Sequence, residues 1–505
     1  MDGSALLIGL DLGTTNCKAV ALTAEGHVAA SASSSYRLQS PQPGWAAQDV
    51  QEVWRGVTET LRALAANVNG EQVHGLCLSG AMHSLFPVDK EANPLALAMT
   101  WADNRAASYV PVLRAHTDPS ALYQRTGCPL RSTYHPVRLR WWLREGMLSP
   151  RGAWRFVAIK DWVLHRLTGI WATDLSLAST TGLLHLEPLY WDEEALSLAG
   201  VTADQLPPLV SPTAVVGGLT RSAAEETGLP QGLPVIAGAC DGGLANLGAG
   251  AISPGQVVVS IGTSGAVRKI VERPLFDSAE RTWCYLLMEG RWFVGGSINN
   301  GGLALQWICE KFYPDLPAER GYQQLLEDAA TVPAGAGGLL ILPYFSGERN
   351  PHWNPMARAL IHGLGLGHTR AHVARAVLEG VAFCLADVWE ALAGEEQWTK
   401  PARLTGAVTR SPVWVQILAD VLGMPLVPVE TADASALGAA LLGHWALGNI
   451  KTLGVSQTPR VSTAFMPDPE RHAFYATRHR AFQKLYWLLE QAPSAAQDAI
   501  SLPGR

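Results

Sequence analysis

Charge is scarce in this sequence: only 16% of its 505 residues are charged, and 38 Lys+Arg against 44 Asp+Glu leave a formal charge of −6. Without a basic surplus the chain is no general binder of nucleic acid, whose phosphates demand a cationic face. Disorder is excluded too, because 48% of the residues are hydrophobic and disorder needs the opposite balance. Closely spaced cysteines are missing. The seven present include no CxxC pair, and the nearest two, Cys284 and Cys309, lie far outside zinc-ribbon spacing. Runs such as Leu76-Cys77-Leu78 and Phe383-Cys384-Leu385 read instead as buried free thiols in a reducing compartment. No apolar stretch reaches the roughly 18 residues that span a bilayer; Ala434–Leu442 comes nearest, and Gly443-His444 ends it. Met1-Asp2-Gly3-Ser4 offers no basic n-region, so a signal peptide is not expected and the cytoplasm is. Low-complexity tracts are absent. Also absent are Gly-x4-Gly-Lys-[Ser/Thr], a Gly-x-Gly-x-x-Gly after the first strand, Gly-x-Ser-x-Gly and His-Glu-x-x-His. These gaps remove the P-loop, dinucleotide-binding, serine-hydrolase and zinc-protease readings.

What is present is a repeated grammar. Leu6-Leu7-Ile8-Gly9-Leu10 runs into Asp11-Leu12-Gly13-Thr14-Thr15 and returns as Lys18-Ala19-Val20-Ala21-Leu22. Far downstream, Val257–Ser260 runs into Ile261-Gly262-Thr263-Ser264-Gly265 and returns as Ala266-Val267. A buried strand, a Gly-Thr turn and a returning strand make a hairpin whose tip offers amides and hydroxyls to an anion. Two such tips half a chain apart predict two related lobes that clamp a phosphate chain. Length alone predicts about three domains; the paired hairpins reduce that to two large α/β lobes. Strand-like runs at 73–78, 339–342 and 402–404 alternate with helical patterns at 50–64, 370–392 and 413–422. Glycines and Pro254 punctuate 245–255 and set the expected boundary. The domains are therefore expected at 1–248, 249–450 and 451–505, the last a polar loop (457–469) and an amphipathic helix (472–489). The small-residue helix Ala434–Ala440 reads as core packing or as a hinge between lobes.

Four places carry chemistry. Asp11, ending a strand beside hydroxyls and exposed amides, suits a hydrated Mg²⁺ next to phosphates, or merely caps its turn; Lys18 is a phosphate partner. Asp241 ends the apolar run Val235–Cys240 and precedes Gly242-Gly243. It reads as a base for a substrate hydroxyl attacking a γ-phosphate, or as a helix cap. Gly80-Ala81-Met82-His83-Ser84 and Trp101-Ala102-Asp103-Asn104-Arg105 gather an apolar platform and hydrogen-bonding groups fit for a sugar, or hold a core histidine and a surface ion pair. Leu404-Thr405-Gly406-Ala407-Val408-Thr409-Arg410-Ser411 is a strand–glycine–helix junction suited to a nucleotide.

From Leu6 to Leu442, this set closely resembles the FGGY carbohydrate kinases. The specific matches are Asp-Leu-Gly-Thr-Thr at 11–15, Ala-Met-His-Ser at 81–84, Trp-Ala-Asp-Asn-Arg at 101–105, Gly-Ala-Cys-Asp-Gly-Gly at 238–243 and Ser-Ile-Gly-Thr-Ser-Gly at 260–265. Ala-Met-His-Ser, Tyr123-Gln124-Arg125-Thr126-Gly127, the 178–184 region and Trp191-Asp192 look most like gluconate kinases within that family. The resemblance implies two actin-like (ribonuclease H-like) α/β lobes with a nucleotide and substrate cleft between them. It implies ATP and Mg²⁺, with Asp11 directed to the metal and Thr14, Thr15 and Lys18 on the β/γ-phosphates. Gly262 and Thr263 would form the opposing phosphate loop, and Gly302, Gln306, Gly406, Ala407 and Ser411 would reach the nucleotide. Met82, His83, Asp103 and Arg105 would line the sugar site, with Asp241 as general base. The family usually carries a second glycine where this chain has Ala407. The implied reaction is phosphorylation of a sugar acid's terminal hydroxyl, D-gluconate to 6-phosphogluconate. Arg105, Arg349 and His83 are the cationic or polar candidates for its carboxylate. Rival readings are a kinase for a neutral substrate such as xylulose or glycerol, and a non-catalytic actin-like ATP sensor. No nucleic-acid or membrane partner is implied, and a homodimer is compatible with the family.

Overall fold

Why the chain folds as it does starts with its first apolar run, which forms strand β1 (Leu6–Leu12), buried over nearly its whole length. A computed structural model describes residues 5–145, 154–393, 400–429, 433–453 and 463–491. The expected absence of a leader at residues 1–4, the first part of the polar loop and the tail after 492 lie outside the described residues. The chain forms two compact units: Met1–Val257, Arg268–Gly295 and Thr431–Arg460 make unit 1, and Val258–Val267, Gly296–Glu430 and Val461–Arg505 make unit 2.

In unit 1, β1 turns at Gly13–Thr15 into β2 (Asn16–Thr23), with Asp11 opposite Lys18, and β3 (Val28–Ser35) continues the antiparallel meander. On its other side β1 pairs in parallel with β4 (Val73–Gly80), Asp11 facing Ser79. The sheet is completed by β5 (Val215–Gly218) and β6 (Pro234–Cys240), in the order β5-β6-β4-β1-β2-β3. Helix α1 (Val50–Ala65), capped by Asp49, and α2 (Ile159–Thr168) contribute to the apolar core over this sheet, which includes Ile8, Leu10, Trp54, Leu78 and Trp162. Helix α3 (Asp241–Gly248) follows β6 directly.

The repeat read from the sequence is real. Strand β7 (Val257–Ile261) passes through Gly262–Ser264 into β8 (Gly265–Val271). Further along come β9 (Trp283–Met288), β10 (Arg291–Ile298) and helix α4 (Gly302–Phe312). As β1 pairs with β4, so β7 pairs in parallel with β11 (Ala402–Thr405), and β11 in parallel with β12 (Leu426–Pro428). In unit 2 the long helix α5 (Arg370–Ala393) is buried along most of its length, which its near-continuous apolar sequence requires. Helix α6 (Pro412–Leu422) packs beside it.

The small-residue segment forms α7 (Ala434–Ala446). It packs in unit 1 against α3 and β1, so it serves close packing there. The approach is tight: a Cβ built on Gly9 would lie 1.9 Å from the Ala436 carbonyl oxygen, and one on Gly438 2.0 Å from that of Leu244. All seven cysteines are free and buried. Among the described residues no helix is long and apolar enough to cross a membrane.

The last helix, α8 (Pro469–Glu490), is clasped to α5 by a polar network within unit 2. His479 Nε2 donates to Asp387 Oδ1 (2.7 Å), and Gln483 bridges Asp387 and Glu390. Burial alone would lower the imidazole, but Asp387 and Glu390 outweigh it and hold His479 up at about 9.

Two consequences are measurable. Gly9→Ala forces β1 and α7 apart and should destabilise the protein by at least about 2 kcal/mol, read as a lowered thermal midpoint with no new cysteine reactivity. A histidine whose pKa is raised on folding stabilises fully below its unfolded value near 6.5 and loses that contribution as pH rises through about 9. The thermal-midpoint gap between wild type and His479→Asn should therefore be widest below pH 6.5 and narrow steadily above it.

Candidate active site

The candidate residues of unit 1 gather at the carboxyl ends of its parallel strands, where open α/β sheets present ligands. Asp11 ends β1, and its Oδ1 accepts a 2.6 Å bond from the Ser79 hydroxyl on β4. Asp241 begins α3 just after β6. Strand β6 carries one extra residue between Ile236 and Ala239 relative to β4, a bulge that re-aims the strand's end. Gly238 occupies it with φ +73°, and a Cβ there would strike the Leu78 carbonyl. From α2, Lys160 secures the same strand end: its ammonium pairs with Asp174 and donates to the carbonyls of Ala237 (3.0 Å) and Ala239 (3.2 Å).

Asp241 does not act as the helix cap; that position is Cys240. Its carboxylate accepts from the Gly242 amide (2.7 Å) and from the Met82 backbone amide. Burial pushes its pKa up, and the nearby Arg268 guanidinium opposes that shift. Asp11 is pushed up to about 7, first by burial, then by the negative charges of Asp241 and Asp433. Lys18 spends its ammonium on Asp433 at 2.5 Å. Three carboxylates thus crowd one region of unit 1.

The turn between β1 and β2 is held from behind. Tyr36 places its hydroxyl 2.7 Å from the Gly13 carbonyl and 2.9 Å from that of Asn16, and Gln48 donates to the Thr14 carbonyl. Thr14 Oγ1 accepts from the Trp101 indole (3.1 Å), joining this turn to the 101–105 loop, while Thr15 stays exposed.

Met82 and His83 follow β4. His83, at φ +66°, is buried. Its Nδ1–H donates to the Thr180 carbonyl (2.9 Å), which leaves Nε2 as the acceptor nitrogen. The ring meets Tyr134 and Tyr285 edge-on. Asp103 and Arg105 form a bidentate buried pair: Nε to Oδ1 at 2.8 Å, Nη2 to Oδ2 at 2.6 Å. The guanidinium carbon lies 3.4 Å from the Trp45 ring centroid. Beneath them the fully buried Arg138 donates to the carbonyls of His83, Thr100 and Asp103 and so staples the two loops together. Burial pushes its pKa down to about 10. Arg125 pairs with Asp192 at 2.8 Å, linking the 123–127 and 191–192 motifs.

Unit 2 holds the remaining candidates. Gly262 and Thr263 form the exposed β7–β8 turn, whose carbonyls accept from the first turn of α4: Gly302 to Gly262 (2.7 Å), Gly301 and Leu303 to Thr263 (3.1 and 3.0 Å). The Gly302 amide is therefore committed to the loop. Just before it, the buried Asn300 donates to the Gly347 carbonyl and accepts from Ser346. Gln306 faces solvent and bonds Glu310. Gly406 needs its φ of +97°, because a Cβ there would lie 2.1 Å from the Ile261 carbonyl. Ala407 opens the short helical turn that follows and is exposed, so its backbone makes no demand for glycine. Ser411 caps α6, accepting from the Trp414 amide.

Residues 6–248 match the N-terminal domain, and residues 257–447 the C-terminal domain, of the FGGY family of carbohydrate kinases. The chain belongs to that family. A gluconokinase of Bacillus licheniformis is 35% identical over 95% of this chain and 94% of its own length. Among solved structures, gluconate kinase from Lactobacillus acidophilus superimposes with a TM-score of 0.90 at 30% identity, covering 97% of this chain and 99% of its own. Ligand-bound xylulose kinase from the same organism gives 0.91 at 30%, with the same coverage. The fold is thus the two-lobed α/β fold of a carbohydrate kinase, and the chain is a phosphotransferase family member.

Arg138, Lys160, Arg268 and Asp433 were not singled out in the sequence. None stands in a motif, and each acquires its place only through contacts across the fold. The Asp103–Arg105 pair yields a test. Asp103→Asn leaves Arg105 buried without its counter-charge and should cost about 3 kcal/mol or more, measured by thermal or denaturant unfolding.

Proposed function

We propose that this FGGY kinase is a gluconokinase, transferring the γ-phosphoryl group of ATP to the terminal hydroxyl of D-gluconate to give 6-phosphogluconate. The observation that carries the chemistry is Asp241: a half-buried carboxylate oriented by two amides, at the end of a bulged strand whose carbonyls Lys160 holds. Such a group takes the proton of a hydroxyl as its oxygen attacks phosphorus. Burial, which pushes Asp241 up from the ordinary carboxylate range, makes it a better base than an exposed aspartate.

In unit 1, Thr14 and Thr15 on the β1–β2 turn and Lys18 on β2 are the groups assigned to the phosphates, and in unit 2 Gly262 and Thr263 on the β7–β8 turn. Gly302, Gln306, Gly406, Ala407 and Ser411 border the nucleoside. Met82 and His83 face the sugar, while Asp103 and Arg105 shape its wall through their mutual pair. Mg²⁺ fits the donor set at Asp11: a hard oxygen ligand beside two further carboxylates, pushed up to about 7 first by burial and then by their repulsion. Bound there with the nucleotide, the ion would neutralise charge on the phosphates. Because the transition state is loose, positioning supplies most of the acceleration.

Gluconate is favoured over a neutral sugar by the gluconokinase relatives and by the paired 123–127 and 191–192 motifs. The xylulose kinase likeness supports the neutral-sugar alternative. A coupled assay over gluconate, xylulose and glycerol, with the product identified by mass spectrometry, decides between them. In the same assay Asp241→Asn should lose about three orders of magnitude in turnover while calorimetry still detects ATP binding. Near-normal turnover would remove Asp241 from the role of base.

A further inference from the structure

A sugar acid brings a carboxylate into a region that already holds Asp11 and Asp241, so something must offset the repulsion. The candidates expected from sequence are committed elsewhere. Arg105 is bound fork to fork with Asp103 and stacked on Trp45. His83 gives its Nδ1–H to Thr180. Arg349 belongs to unit 2, where it donates to the Ile298 carbonyl. Of the other cations near the strand ends, Lys160 serves Asp174 and two carbonyls, and Arg138 serves the loops.

Arg268, on β8, differs from these in what surrounds it. Its guanidinium lies among Asp241, Gly242 and Met82: a Cβ built on Gly242 would meet Met82 Cε at 3.1 Å and Arg268 Nε at 3.4 Å. The guanidinium and the thioether thus flank Gly242, the residue after the catalytic carboxylate. A positive charge at the shoulder of a general base favours its ionised form and so weakens it. The guanidinium also compensates the burial of Asp241 whatever the sugar, but only an acidic substrate gives it a second anion to bind. In a six-carbon acid six bonds of ~1.5 Å separate the carboxylate carbon from the far hydroxyl oxygen, so the two are at most about 7.5 Å apart. The planar fork of arginine matches a carboxylate in two parallel hydrogen bonds.

Resting on the sugar-acid reading above, we infer that Arg268 recognises the substrate carboxylate and thereby sets the preference for a sugar acid over a neutral sugar. The test compares D-gluconate with D-gluconamide, its neutral counterpart, in wild type, Arg268→Gln and Arg268→Lys. Wild type should prefer gluconate. Arg268→Gln should lower kcat/KM for gluconate about 100-fold, mainly through KM, and gluconamide less than about 10-fold, so that the preference collapses. Arg268→Lys should restore part of it. If Arg268→Gln does not fold, Arg268→Lys carries the test, since loss of the fork should still cost gluconate several-fold relative to gluconamide. An unchanged preference in the variants, or equal loss of both substrates, overturns the assignment of Arg268 and leaves the gluconokinase reading standing. A wild type that does not prefer gluconate over gluconamide overturns the sugar-acid reading itself.

Discussion

Half-burying carboxylates at the ends of parallel strands is the constraint around which unit 1 is built. An ionised carboxylate withdrawn from water costs several kcal/mol unless partners compensate it, and Asp11 and Asp241 are both partly withdrawn. The surrounding features read as compensation or support. Ser79 donates to Asp11; the Gly242 and Met82 amides and Arg268 serve Asp241; Lys18 answers Asp433. Compensation stops short of neutrality: burial first, then the charges of Asp241 and Asp433, leave Asp11 raised to about 7.

The hairpin of unit 2 meets a different demand. Its turn carries no buried acid; it must keep amides and hydroxyls exposed while its own carbonyls are satisfied. The first turn of α4 does this, and Asn300 anchors that helix start to the 346–347 backbone. The loop is thereby fixed through its carbonyls, which leaves its solvent side for a ligand.

Much of this was legible because the signals are local. Apolar runs ending in Asp-Leu-Gly-Thr-Thr and Ser-Ile-Gly-Thr-Ser-Gly locate both hairpins, and Asp11 and Asp241 announce themselves by standing where a buried strand meets glycine. Helix limits were read to within a few residues for the same reason. What escaped depends on distance along the chain. Lys160 reaches carbonyls some eighty positions away, and Asp433 meets Lys18 across more than four hundred. Arg105 shows the converse error: a cation attractive in sequence proves to be spent on its neighbour two residues back and on Trp45. Ala407 departs from the usual glycine without strain because only Gly406 carries the left-handed backbone there.

The placement of α7 has a consequence for how the molecule is made. Gly9, in β1, is cut to fit a helix that is translated more than four hundred residues later. During synthesis β1 and α3 must wait, with their closest-packed surface uncovered, until residues 434–446 emerge. Unit 1 is therefore completed late although its sequence comes early. Excision of residues 6–248 as an autonomous fragment would expose a carbonyl-lined seam that only the distant helix can fill.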